Sequence, residues 1–167
     1  TPAGTFPFQT WFVARGHRDE VDAVHYAGAP AAAPGPGVLE ALDAAELIVI
    51  APSNPYVSIG PILSISRIRA AIAHRGVPCV AVSPLVDGRA VKGPADRMLA
   101  RLAGGTTPAH VAGCYEGLID ALVVDETDAP AELPGRVRLV VARTLMTDLD
   151  ASRRLAAAVI DIAGAPA

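Results

Sequence analysis

Two stretches bring together side chains able to hold an anion. The first is "IVIAPSNPYVSIGPIL" (48–63), with Ser53, Asn54 and Ser58 set among Pro52, Pro55 and Gly60. The second is "VSPLVDGRAVKGPADRML" (82–99), with Ser83 beside Pro84 and Lys92 beside Gly93 and Pro94. Both follow one plan: a buried strand, a serine next to a proline, a polar turn, a Gly-Pro pair and a helix. Proline suits the first helical turn, where its missing N–H costs nothing. A glycine just before it lets a ligand approach the backbone closely. Helix N-termini favour anions, and Lys92 adds a full positive charge. The chemistry implied is a phosphate- or carboxylate-binding crevice lined by Ser53, Asn54, Ser58, Ser83 and Lys92. These are also ordinary turn residues, so one such loop is more often a connector than a site. Two loops of one design at one sheet edge bring the crevice level with the connector.

Other polar groupings point less clearly to chemistry. "DETDAPAE" (125–132) gathers carboxylates after a strand. Mg²⁺ takes oxygen ligands of this kind, but Thr127 or Asp128 capping a short helix accounts for the pattern better. His17, His25, His74 and His110 show no ligand spacing. Neither Ser53 nor Ser83 has a His and Asp placed near it as a triad would suggest, and there is no nucleophile elbow. Asp96 at a helix start is explained by the dipole. Tyr56 offers a ring on which a planar ligand can stack. No Gly-rich phosphate fingerprint is present.

The elements that must carry these loops alternate in type. "FPFQTWFVA" (6–14) alternates and predicts a strand, and "VDAVHYAG" (21–28) a weaker one. "APAAAPGPG" (29–37) is a connector before a short helix over 38–45. Strands are expected at 47–51, 78–83, 120–125 and 137–142. Helices are expected at 61–75, 94–102, 108–115 and 150–162. Continuous β-branched runs alternating with helices predict an α/β fold: a parallel-sheet, Rossmann-like three-layer sandwich with an extra N-terminal strand pair. Both loops then leave the carboxyl ends of strands, where open α/β sheets bind ligands.

The bulk numbers bound the partners. The chain has 167 residues, 51% hydrophobic and 19% charged, enough for one core. A formal net charge of -3 argues against nucleic acid as the main partner. No apolar run approaches the ~18 residues of a membrane span. "TPAGTFPFQT" (1–10) lacks a basic start and an apolar core, so no signal peptide is expected. Cys79 and Cys114 lie apart without metal-ligand spacing, and a reducing cytoplasm is the default location. A start at Thr1 rather than Met suggests a truncated or processed beginning.

"APSNPYVSIGPIL", "VAVSPLVDGRAVKGPADRML", "YEGLIDALVVD" (115–125) and "TLMTD" (144–148) together resemble the 2-phospho-L-lactate transferase family and its actinobacterial form, the phosphoenolpyruvate transferases. "FQTWFV" (8–13) is similar to the strand that precedes this region in the family. The resemblance implies a transferase of coenzyme F-420 biosynthesis. It would move a 2-phospho-L-lactyl or enolpyruvyl-phosphate unit from a guanosine-diphospho donor to the hydroxyl of the deazaflavin Fo, releasing GMP with Mg²⁺ present. It places Pro52, Ser53, Asn54, Pro55, Ser58 and Gly60 in the family's Pro-Ser-Asn-Pro loop, and Ser83, Pro84, Lys92, Gly93 and Pro94 in its second loop. These are expected to position the donor phosphates and the acceptor. The resemblance assigns neither a catalytic base nor metal ligands, and a homodimer is its expectation for assembly. Family members are longer and begin with a Gly-rich segment. Residues 1–167 are therefore expected to form a single α/β unit, the C-terminal part of a longer transferase. The alternative is a non-catalytic module that binds a nucleotide or a deazaflavin.

Overall fold

The computed structural model describes residues 1–164. Its strands are β1 (Ile48–Ile50), β2 (Cys79–Val82), β3 (Leu85–Val86), β4 (Arg89–Ala90), β5 (Ala121–Asp125) and β6 (Arg138–Ala142). β1, β2, β5 and β6 form one parallel sheet in that order. Val80 sits between Val49 and Ala121, and Ala81 between Ile50 and Leu122. Side chains alternate across a strand, so each strand feeds two cores. Ile48, Ile50, Cys79, Ala81, Leu122 and Val124 point to one face, and Val80, Val82, Ala121 and Val123 to the other.

The helices divide between those faces. They are α1 (Val38–Asp43), α2 (Gly60–Leu63), α3 (Ser66–Ala73), α4 (Ala95–Leu102), α5 (Pro108–Gly113) and α6 (Leu149–Gly164). α1 to α5 cover the first face, with Leu63, Ile68, Ile72, Leu99 and Val111 in its core. The sheet is crossed in one direction, which puts successive right-handed connections on one side. The second face is covered by α6 through Leu155, Val159 and Ile162, an i, i+4, i+7 stripe. The expected α/β three-layer arrangement is thus present.

Three local expectations are corrected. The N-terminal strand pair does not form: Phe8 and Gln9 begin a helical turn, Thr10–Ala14 continues it as a wide i→i+5 turn, and 21–28 pairs with no strand. With no neighbouring strand, the backbone satisfies itself locally, the Arg15 amide donating to the Thr10 carbonyl at 3.0 Å. Phe8, Trp11 and Phe12 also have helical i, i+3, i+4 spacing, which the alternation obscured. The helix expected over 61–75 is broken between α2 and α3, where Ile65 is extended and Ser64 Oγ donates back to the Pro61 carbonyl at 2.7 Å. An antiparallel hairpin, β3–β4, was not anticipated. Its signal is Asp87-Gly88, both at positive φ (53° and 65°), the two-residue turn that matches strand twist.

The N-terminal segment packs on α4. Trp11, Val21 and Met98 form a separate buried cluster. Trp11 Nε1 donates to the Asp19 carbonyl at 3.2 Å, and Arg101 bonds Asp22 at 2.6 Å. Arg97 donates to both the ring Nδ1 and the carbonyl of His17.

Candidate functional site

The carboxyl ends of β1, β2 and β6 open into one cavity of about 420 Å³. Pro52, Ser53, Asn54, Val57 and Ser58 come from the loop after β1, and Ser83 and Pro84 from the end of β2. Val86, Val91, Lys92, Gly93, Pro94 and Ala95 lead through the hairpin into α4. Thr144, Leu145 and Met146 follow β6, and Phe8 and Phe12 reach in from the N-terminal segment. The two loops singled out in the sequence therefore meet. Phe8, Phe12, Val86, Val91, Thr144, Leu145 and Met146 were missed. The available signal was that "TLMTD" leaves a strand at the same sheet edge as the two loops.

Asn54 builds the first loop. Its Oδ1 accepts from the amides of Tyr56 (2.9 Å) and Val57 (3.3 Å), and its Nδ2 donates to Met98 Sδ at 3.3 Å. Its carbonyl accepts from both Ser58 and Ile59 at 3.1 Å, closing the wide turn Pro55–Ile59. The two proline-rich corners are thus held by one amide side chain, which lines the cavity with both ends engaged. The amides that would have formed a free helix N-terminus are occupied by this cap.

Pro55 and Gly60 are not brought to this cavity. They line a neighbouring concavity with Tyr26, Tyr56 and Cys114. A Cβ on Gly60 would overlap Tyr26 Oη and lie 2.9 Å from the Pro55 carbonyl oxygen. Glycine is needed there for internal packing, because Tyr26 Oη crosses over it to donate to the Tyr56 carbonyl at 2.6 Å. Tyr56 faces this second concavity, where its hydroxyl accepts from the Cys114 thiol. Burial first, then Cys114, pushes the Tyr56 pKa up.

The second loop is half closed and half open. Ser83 is buried; its amide donates to the Val123 carbonyl at 2.8 Å, and its Oγ accepts from the Leu85 amide at 3.2 Å. An accepting hydroxyl still has a hydrogen to donate. Lys92 is exposed at the cavity, and among the described residues no carboxylate pairs with it. Gly93 adopts φ 72°, the left-handed region that glycine enters without strain. The first turn of α4 already carries Asp96, whose Oδ1 accepts from the Arg97 amide at 2.8 Å. Lys92, rather than the helix end, is the cavity's source of positive charge.

Asp125 ties the third wall down. Its carboxylate accepts from Thr127 (N 3.2 Å, Oγ1 2.8 Å) and from Thr144 (N 3.0 Å, Oγ1 3.2 Å). Burial opposes its charge, but these four donors outweigh burial and hold the pKa below the usual carboxylate range. Asp125 therefore caps the turn Glu126–Asp128, the role expected of Thr127 or Asp128. Those two residues turn to the hairpin: Thr127 Oγ1 accepts from the Asp87 amide at 3.0 Å, and Asp128 Oδ1 from the Gly88 amide at 2.8 Å. The acidic stretch is architectural. Among the described residues, no three His, Cys, Asp or Glu side chains converge to hold a metal ion. These residues by themselves build no magnesium site.

A family profile described as 2-phospho-L-lactate transferase CofD matches residues 2–163. The chain is 43% identical to the phosphoenolpyruvate transferase of Streptomyces griseus over 161 residues, 93% of this chain and 50% of that protein. It is 36% identical to the phosphoenolpyruvate transferase of Mycolicibacterium smegmatis over 162 residues, 94% of this chain and 49% of that one. It is 40% identical to the 2-phospho-L-lactate transferase of Methanopyrus kandleri over 168 residues, 97% of this chain and 52% of that one. The chain spans about half the length of the curated relatives it matches. Matched almost from end to end, and folded as its paired loops require, this chain belongs to the 2-phospho-L-lactate transferase CofD family.

Proposed function

We propose that this chain carries part of the transfer site of an F-420-type transferase. In that reaction a 2-phospho-L-lactyl or enolpyruvyl-phosphate unit moves from a guanosine-diphospho donor to the deazaflavin Fo. The acceptor hydroxyl oxygen forms a bond to phosphorus and gives up its proton to solvent, the diphosphate bridge breaks, and GMP leaves with the electron pair. The observation that carries the reading is the meeting of the loops at Ser53–Ser58 and Ser83–Gly93 in one cavity, in a chain matched to the family over residues 2–163.

Such a transfer needs mainly positioning and charge stabilisation. Lys92 neutralises donor phosphate charge, and the Ser83 hydroxyl donates a hydrogen bond from a buried, pre-oriented site. Ser53 and Ser58 offer further hydroxyls, Pro52 and Pro84 stiffen the loops, and Gly93 lets the chain turn beside Lys92. Asn54 holds the first loop in shape rather than contacting the ligand. Pro55 and Gly60 support that loop from behind. Magnesium belongs to the proposed reaction through the family resemblance, and a homodimer is the proposed assembly on the same ground. No helix among the described residues is long and apolar enough to cross a membrane.

The test is release of GMP. The chain, alone and expressed with its flanking coding sequence, is supplied with Fo, Mg²⁺ and each of the two donors in turn. Release dependent on Fo supports the transferase. A folded protein that releases no GMP with either donor in either form rejects it.

A further inference from the structure

We propose that Thr127 and Asp128 are positioning residues for anion binding: by pinning the tip of the β3–β4 hairpin, they set where Lys92 stands. This rests on the reading above, in which Lys92 meets the phosphates of the donor. The hairpin cannot hold its own shape. It consists of two residue pairs, Leu85 with Ala90 and Val86 with Arg89. An isolated two-stranded hairpin is marginal in water. Its turn residues, Asp87 and Gly88, both stand at positive φ, a conformation that costs an aspartate more than a glycine. Contacts outside the hairpin must therefore fix it.

Those contacts hold the root and the tip. At the root, the Ser83 amide donates to the Val123 carbonyl, and Leu85 is buried in the core. At the tip, the Asp87 amide donates to Thr127 Oγ1 at 3.0 Å and the Gly88 amide to Asp128 Oδ1 at 2.8 Å. Thr127 is itself held, its hydroxyl donating to Asp125 Oδ1 at 2.8 Å. One run of hydrogen bonds thus joins the hairpin tip to the end of β5. A Cβ on Gly88 would lie 3.2 Å from Thr106 Oγ1, so the tip also rests against the connection between α4 and α5. Fixed at both ends, the hairpin delivers Val91 and Lys92 to the cavity directly after β4.

Asp128 is poorly placed to stabilise the fold on its own account. Its Oδ2 is buried and, among the described residues, has no hydrogen-bond partner. Burial raises its pKa above the ordinary carboxylate value, and the Asp125 and Asp87 carboxylates add to that, against the Gly88 and Asp87 amides. A carboxylate oxygen left buried and unpaired weakens a fold. What the side chain does supply is a fixed acceptor for the hairpin tip.

Calorimetry of the chain with inorganic diphosphate at low salt tests this, with urea unfolding to confirm that each variant is folded. Asp128→Asn and Asp128→Ala remove the same charge, and only the first keeps an oxygen for the Gly88 amide. Thr127→Ser and Thr127→Val differ likewise in the hydroxyl. Asp128→Ala and Thr127→Val are expected to bind diphosphate roughly fivefold or more weakly, while Asp128→Asn and Thr127→Ser stay within about twofold of the parent. Beside Lys92→Ala, the same Ala and Val substitutions should cost no more than about twofold further, because the group they position is gone. A general loosening of the fold would weaken binding there as well. Where Asp128→Ala does not fold, the Thr127 pair carries the test. The proposal is overturned if the parent chain does not bind diphosphate, if the Ala and Val variants bind it as tightly as the parent, or if their losses persist in full beside Lys92→Ala. The two readings fail separately. Coupling to Lys92 without Fo-dependent GMP release removes the transferase and keeps the hairpin's role. Fo-dependent release with an unchanged KM for the donor in Asp128→Ala and Thr127→Val removes that role and keeps the transferase.

Discussion

The Asp125 carboxylate accepts both the amide and the hydroxyl of Thr144, at 3.0 and 3.2 Å. That pair fastens the segment after β6, and with it Leu145 and Met146, to the end of β5. Hydrogen bonds to a charged group contribute about 1.5–3 kcal/mol each. Replacing Asp125 by Ala strands the buried Thr144 donors and is expected to cost about 3 kcal/mol. The pH dependence has a definite sign. The folded-state pKa is lowered, so the contribution is fully present above the unfolded value, about 3.9. It is lost as pH falls through the folded value. The gap in urea midpoint between the parent and Asp125→Asn should therefore narrow steadily below about pH 4. A gap independent of pH would show that the carboxylate charge is not what holds Thr144.

Asn54 separates structure from chemistry in the first loop. Asn54→Ala removes a helix-cap acceptor, with an expected loss of about 1–2 kcal/mol. Asn54→Asp keeps an oxygen for the Tyr56 and Val57 amides but loses the donor to Met98, so it should retain most of that stability. Thermal melts of the two variants order them. Equal melting temperatures would mean that the cap contributes nothing.

Gly60 and Tyr26 are fitted to one another. Gly60→Ala places a methyl group against Tyr26 Oη and the Pro55 carbonyl. Overpacking of this kind costs about 1–3 kcal/mol. Tyr26→Phe removes the hydroxyl that stands in the way, so the double variant should be more stable than the sum of the single losses predicts. A double-mutant cycle by urea unfolding measures that coupling, and strict additivity would contradict it.

Lys92 is expected to matter for ligands and not for folding. It is exposed and, among the described residues, has no ion-pair partner, so Lys92→Ala should change stability by less than about 0.5 kcal/mol. Binding of GMP or inorganic diphosphate should weaken about tenfold at low salt, and much of the difference should vanish in strong salt, where charges are screened. Calorimetry at two ionic strengths reads both effects.

Two thiols and three phenols resist ionisation in the fold. Burial pushes Cys79 up to about 11 and also raises Cys114, Tyr26, Tyr56 and Tyr115. The folded state holds these protons more tightly than the unfolded chain. The stability these groups contribute should therefore be constant below the unfolded thiol pKa, about 8.5, and fall as pH rises above it. Urea midpoints at pH 8 and pH 10 check the slope. Cys79, fully buried, should also escape alkylation until the protein unfolds.

The parallel sheet was legible because its strands are short apolar runs bounded by Pro, Gly and Asp, a pattern set by burial on both faces. The two loops were legible because Gly-Pro and Ser-Pro pairs restrict the backbone locally. What failed needed knowledge of neighbours. "FPFQTWFVA" satisfies a period of two as well as helical spacing at Phe8, Trp11 and Phe12, and the absence of a pairing strand decided between them. The break at Ser64–Ile65 lies within an otherwise continuous apolar stripe. Gly60 looked like a ligand's clearance and is Tyr26's, which rests on a contact thirty-four residues away in sequence. Phe8 and Met146 join one cavity across nearly the whole chain, and no local pattern announces that.

That last separation has a consequence for folding. The sheet is laid down in chain order, and the cavity's walls come from its first helical turn and from the segment after its last strand. Bringing such distant residues together requires closing a very long loop, with the entropy cost falling on the final steps. The β1–β2 pair and the helices between them can form early and still leave no cavity. A molecule that offers the complete cavity is one that has finished folding, and a ligand held between Phe8 and Met146 would resist the first opening of either end.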